Sequence, residues 1–271
     1  MEKLHTAAPC CFNPCGRAIT VLGMLFVLLA GGAAMAKGHV LIYTKNGKGY
    51  VHDNIPASVE CLKKICQQNQ WTYEVTDQAD VFTADKIKTF DVLVFSNTNN
   101  ETFDTEEQKQ VFKSYIQSGG AFVGIHSVCG SERQWPWFWA NLGGKFVRHP
   151  AFQKFDIKVI DHKHPSTEFL PDIWTWEDEC YYMNHLNPGI HILLAADLRT
   201  VEDDKKQEYP GEVFGHYFPL CWYQEFDGGR QWYTAMGHDP KHYQDENFIK
   251  HLTGGIRWAM QKQTPAAATA Q

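Results

Sequence analysis

Short continuous apolar runs alternate along the chain with segments whose apolar residues recur every three to four positions. The runs at 39–44 (HVLIYT), 71–75, 91–96 (DVLVFS) and 121–125 (AFVGI) read as four strands. Between them, Pro56 opens a helix with Val59, Leu62, Ile65 and Cys66 along one face. Thr105 and Gln108 form a capping-box pattern ahead of Val111, Phe112, Tyr115 and Ile116, and Gly119-Gly120 stops that second helix. Continuous apolar strands alternating with amphipathic helices predict an α/β fold with a mainly parallel sheet covered on both faces. Beyond residue 150 the rhythm changes. Strands are expected over 155–160 and 190–195, with longer loops rich in His, Trp and Pro. The runs 220–223 and 231–235 flank Asp227-Gly228 and read as a hairpin, and 247–260 reads as a terminal helix. No internal repeat or long linker divides this pattern, so one domain is expected over 37–262, followed by a disordered small-residue tail at 263–271.

The beginning of the chain carries a different signal. Lys3 and Arg17 precede an uncharged run from Ala18 to Ala36 whose apolar centre is Ile19 to Ala30, closing on Ala34-Met35-Ala36. A positive flank, an apolar core and a small-x-small end are the parts of a secretory signal peptide, so 1–36 is expected to be removed and the protein exported, to a periplasm or the outside. The competing expectation is retention of this segment as a membrane anchor, the sole membrane contact the sequence suggests.

Composition narrows the partners. A net charge of -6 and the lack of a basic stripe exclude a nucleic-acid binder, because nothing would displace counterions from phosphates. Five cysteines follow residue 36 (Cys61, Cys66, Cys129, Cys180 and Cys221), an odd and scattered set that reads as buried thiols and not as a disulfide framework. A homo-oligomer is compatible with this composition. The 13 His and 9 Trp are the feature that calls for chemistry.

In open parallel sheets ligands bind beyond the carboxyl ends of the strands. His52, His126, His149, His216 and His238 all sit at or near predicted strand exits, and together they suggest one rim. His126 follows the fourth strand directly, in Gly124-Ile125-His126-Ser127, where a sharp turn is expected to leave it exposed. A histidine there suits proton transfer or metal ligation, whereas covalent acyl transfer lacks its nucleophile. Glu177-Asp178-Glu179 reads either as a ligand source or as a solvated acidic turn. His162, His164 and the acidic run 177–179 could supply ligands for a divalent ion such as zinc, although no H-E-x-x-H or paired-cysteine spacing is present. Trp135 and Trp137, just past the turn, are candidates to stack on the apolar face of a sugar.

Read in order, 119–127 (GGAFVGIHS), Trp135-Pro136-Trp137, Gly143-Gly144 with His149-Pro150, 164–167 (HPST), 177–181 (EDECY), 221–225 (CWYQE) with Gly228-Gly229-Arg230, 233–239 (YTAMGHD) and 254–258 (GGIRW) resemble the trehalose-utilisation (ThuA-like) family over roughly residues 38–260. The resemblance implies a flavodoxin-like, class I glutamine-amidotransferase-like three-layer sandwich. It also implies that His126 occupies the amidotransferase nucleophile position, so that no amidotransferase activity is expected. It further implies a part in disaccharide catabolism, including routes through 3-keto-glycosides, with a small-molecule carbohydrate as ligand. Carried over position by position, the site is His52, His126, His149, Glu179 and His238, with His126 and Glu179 as the catalytic pair and His126, His149, Glu179 and His238 as candidate metal ligands. The substrate-binding set is expected to be His52, His149 and His238 with Trp135, Trp137 and Asp239. The chain departs from the family pattern at Pro219-Leu220-Cys221, where a Pro-Val-Ala type of run is usual. Three functions stay open at this point: a lyase, isomerase or hydrolase of oxidised sugars, a non-catalytic carbohydrate-binding module, and a metal-dependent hydrolase.

Overall fold

The computed structural model describes residues 38–205 and 215–261. The expected signal segment and tail lie outside the described residues. Among those residues no helix is long and apolar enough to cross a membrane.

The elements run β1 (His39–Tyr43), α1 (Ile55–Gln68), β2 (Thr72–Thr76), α2 (Ala84–Ile87), β3 (Val92–Ser96), α3 (Glu106–Gln117), β4 (Ala121–Ile125) and α4 (Pro136–Leu142). They continue with β5 (Lys145–Arg148), β6 (Gln153–Val159), β7 (Ile173–Asp178), β8 (Tyr182–Asn184), β9 (His191–Asp197), β10 (Tyr217–Phe226), β11 (Gly229–Thr234) and α5 (Glu246–Met260). Nine strands form one sheet in the order β2-β1-β3-β4-β11-β10-β9-β6-β7, while β5 and β8 make a separate small pair. Every neighbour from β2 to β11 is parallel, and every neighbour from β11 to β7 is antiparallel. The parallel half is the part that the apolar runs announced: β3 and β4 are buried at every position because helices cover both faces.

Residue alternation across the parallel register sorts the two faces. Phe95 and Phe122 pack with Phe112 of α3 and Phe138 of α4. On the other face Ser96 bonds Ser58 of α1, and Thr234 meets His251 of α5. The Thr105–Gln108 capping box forms as expected and explains where α3 begins. The hairpin turns at Asp227 and Gly228, both at positive φ. All five described cysteines are buried and free, in line with their reading as thiols.

The antiparallel half has one consequence for the site. Each antiparallel step reverses direction, so after four steps β7 again runs the same way as β11. Its carboxyl end therefore lies on the same rim as those of β1, β4 and β11.

Candidate metal centre

Four side chains meet on that rim: His52 after β1, His126 after β4, Glu179 after β7 and His238 after β11. One ligand atom from each lies within 4.8 Å of all the others. The turn that delivers His126 is left-handed, with φ +54, and it folds back so closely that a Cβ on Gly124 would stand 2.6 Å from Val128 Cγ1. Tyr233 Oη donates to the His126 carbonyl (2.9 Å) and holds the turn in place. His238 follows Gly237, whose φ of +118 only glycine adopts freely. Asn54, two residues beyond His52, donates to the Gly237 carbonyl (2.7 Å) and to Asn97 Oδ1 (2.9 Å). The first and last of the three histidine loops are thus tied to each other.

His126 is fully buried, contrary to its expected exposure at the turn, because Tyr181, His52 and His238 close over its ring. Its Nδ1 lies 2.8 Å from the Ala235 carbonyl, which accepts only if Nδ1 carries the proton. That bond leaves Nε2 as the acceptor, to which Tyr181 Oη donates at 2.9 Å, with Glu179 Oε2 at 3.8 Å. Glu179 Oε2 is also 3.1 Å from His238 Nδ1, a contact without hydrogen-bond alignment, and Glu179 Oε1 is 3.5 Å from His149 Nε2. His52 Nδ1 is buried with no partner.

Burial first, and the neighbouring His52 next, push His126 well below the usual imidazole pKa. Burial and His238 lower His52 to about 4. Both rings are therefore neutral near pH 7, the form that binds metal. Burial raises Glu179, but His238 and His149 outweigh it and hold the carboxyl below its ordinary range. The contact with Glu179 in turn raises His238. Three imidazoles and a carboxylate are a donor set suited to zinc or a similar divalent ion. Bonds of about 2.0–2.2 Å in a tetrahedral site space the ligand atoms by about 3.3–3.6 Å, so a contraction of roughly an ångström would close this set. Above it opens a pocket of about 390 Å³ lined by Tyr50, Asn99, Arg133, Phe146, His149 and Tyr181 as well as three of the four cluster residues.

The sequence profile of the trehalose utilisation family, ThuA, matches residues 39–259. The chain belongs to the ThuA family. Among solved structures, a ThuA-like protein from Bacteroides uniformis superposes with a TM-score of 0.67 at 23% identity, covering 85% of this chain and 94% of that one. A ThuA-like protein from Parabacteroides merdae gives 0.65 at 20% identity, covering 85% and 93%. These likenesses support the fold. No curated protein matches the chain in sequence.

In this ThuA-family chain the other sequence candidates scatter. His149 lines the pocket beside Glu179. Trp135 packs on Phe103, Phe112 and Phe138, and Trp137 packs on Phe112 and donates from Nε1 to Asp227 (2.8 Å). Both therefore cover the α3–α4 core and do not line the pocket. Asp239 accepts from the Lys241 amide (2.8 Å), capping a short turn outside the cluster. His216 precedes β10, and its carbonyl accepts from the Leu198 amide.

Sequence reasoning placed Asp178 and Tyr181 only within the motif 177–181, with no separate role in the site, and did not single out Arg133. The signal for Asp178 was the alternation Trp174-Thr175-Trp176-Glu177-Asp178, which marks a half-buried strand with Asp178 on its inner face. That carboxylate is fully buried and accepts from the amides of Glu179 (2.8 Å), Gly237 (2.8 Å) and His238 (3.3 Å), and from Trp176 Nε1 (2.9 Å). It therefore joins two cluster residues through their backbones. Asp178→Asn replaces acceptor capacity with a donor and should weaken divalent-metal binding about 10- to 100-fold, measured by titration of the metal-free protein. Unchanged affinity in a folded variant would show that Asp178 does not position the cluster.

Proposed function

We propose that this protein is an exported enzyme of carbohydrate catabolism that acts on oxidised, 3-keto-glycosides at the His52–His126–Glu179–His238 centre. The single observation that carries the reading is the convergence of these four ligand atoms within 4.8 Å beneath a pocket of sugar-accommodating size. Two details support metal occupancy: the bond to Ala235 turns the His126 lone pair toward the other ligands, and buried His52 Nδ1 has no partner. A bound divalent ion would supply a Lewis acid for the ketone oxygen.

The chain's own groups account for the proton movements. A ketone at C3 acidifies the C2 proton, and Glu179, with Oε1 beside His149, is placed to accept it. The C–H electron pair forms a C1–C2 double bond as the C1–O glycosidic bond breaks, and the departing oxygen takes a proton from His149. Tyr181 keeps its proton, because burial raises its pKa well above the ordinary phenol value, and its hydroxyl, released once a metal takes the His126 Nε2 lone pair, would donate to oxygen in the pocket.

The test is incubation of the purified, untagged protein with 3-keto-glycosides, with products followed by mass spectrometry and bound metal by elemental analysis. An unsaturated keto-sugar product is expected. Absence of turnover, both with and without added divalent metal, would sink the enzymatic reading. Sugar-induced stabilisation without turnover, unchanged in His126→Ala, would favour a binding module, and cleavage of unoxidised glycosides would favour a metal-dependent hydrolase.

A further inference from the structure

We infer that Arg133 is an oxyanion subsite of this pocket, selecting sugars that carry a carboxylate or phosphate; the inference rests on the carbohydrate reading above. The other described arginines have closer partners. Arg148 forks onto Asp203 (3.1 and 2.9 Å), Arg199 pairs with Asp197, Arg230 donates to the Gln261 carbonyl (2.6 Å) and Arg257 bonds Asn69. Arg133 has only a 3.5 Å bond to Asn99 Oδ1 and the face of Phe146 at 5.7 Å. No carboxylate lies within ion-pair distance of it among the described residues, yet it lines the pocket with His52, His149, Glu179 and His238.

Its placement is built, not incidental. The preceding residue, Glu132, is left-handed at φ +47, a conformation that a residue with a long side chain adopts only when its surroundings enforce it. The enforcement is visible: the Glu132 amide donates to the Asn100 carbonyl (2.8 Å), and its buried carboxylate accepts from the amides of Thr102 (2.8 Å) and Phe103 (3.3 Å) while facing Lys109 at 3.2 Å. At Gly130, a Cβ would stand 2.5 Å from Asn99 Oδ1 and 3.1 Å from the Arg133 guanidinium, so the missing side chain leaves room for that pair. A strained turn at Glu132 thus leads into an exposed guanidinium, with open hydrogen-bonding capacity, on the lining of a pocket whose one carboxylate is already surrounded by histidines. The planar fork matches a carboxylate or phosphate group.

The experiment is calorimetric binding of glucose, glucuronate and glucose 6-phosphate to the wild-type protein, to Arg133→Gln and to Arg133→Lys. Wild type should bind at least one acidic sugar about tenfold or more tightly than glucose, the worth of one charge-assisted contact. Arg133→Gln should erase that preference, and Arg133→Lys should keep part of it. The carboxylate and phosphate arms show which oxyanion fits. Equal binding of glucose and both acidic sugars to wild type, or a preference that survives in Arg133→Gln, overturns the subsite and leaves the carbohydrate reading intact. If no sugar of either kind binds, the subsite fails, and the carbohydrate reading is decided by the 3-keto-glycoside assay alone.

Discussion

His126→Ala is expected to lose bound divalent metal and to lower turnover of a keto-sugar more than about 100-fold, since it deletes a central ligand and not an outer support. The fully buried ring contributes a nitrogen lone pair that no other described side chain can replace, because His52 and His238 approach the cluster from different loops. The substitution also leaves the Ala235 carbonyl and the Tyr181 hydroxyl without the ring, at a cost of about 1–3 kcal/mol for each buried group left unpaired. His126→Asn separates the two effects. Asparagine tolerates the left-handed turn better than alanine and retains a side-chain donor for Ala235, so the melting temperature should recover while metal content does not. Elemental analysis and melting curves on wild type and both variants decide the matter. A His126→Asn protein that retains metal at wild-type stoichiometry would remove His126 from the ligand set.

The second large effect is acid destabilisation arising away from the metal centre. His164 and His251 are buried side by side under β11 and α5, both around Ser166. The His251 Nδ1–H donates to the Ser166 carbonyl (2.8 Å), and the Ser166 amide donates to His164 Nδ1 (3.2 Å), which leaves buried His164 Nε2 unpartnered. Burial, followed by the neighbouring His251, lowers His164 to about 3, and burial lowers His251 to about 4. In the unfolded chain both titrate near 6.5, so below that pH the unfolded state binds protons that the folded state refuses. The stabilisation is complete above about pH 6.5 and is lost progressively as pH falls toward 4 and then 3. At pH 5 each histidine should have given up about 2 kcal/mol, a large share of a typical 5–15 kcal/mol. Urea midpoints measured between pH 7.5 and 4.5 should fall steeply through this window, and His251→Gln should flatten the slope. A midpoint that holds constant from pH 7 to 5 would contradict the burial of these rings as neutral groups.

Much of this molecule is written in local pattern. The apolar runs of β1, β3 and β4 and the capping box at Thr105 need only neighbours a few residues away, and so does the turn that sets His126 after β4. Their periodicity and end signals are legible without knowing what they pack against, and the parallel half of the sheet follows from them. The histidines at the ends of β1, β4 and β11 are legible for the same reason. A strand end in a parallel sheet already implies a rim.

The rest depends on contacts between distant segments. The acidic run 177–179 reads equally well as a solvated turn. Only the four direction reversals from β11 to β7 bring Glu179 to the rim, and only the buried amides of residues 237 and 238 turn Asp178 inward as their acceptor. Trp135 and Trp137 have the composition of a sugar platform, but whether an aromatic ring meets solvent or core is set by what lies beneath it, here Phe112 and Phe138. Local pattern was enough for the α/β elements, and resemblance for the family and for Glu179 as a candidate. Only the tertiary structure puts His52 into the cluster where His149 was expected, leaving His149 beside it on the pocket wall. Only it leaves the Arg133 guanidinium facing that pocket, because charge and burial are settled between residues far apart in the chain and not within any local period.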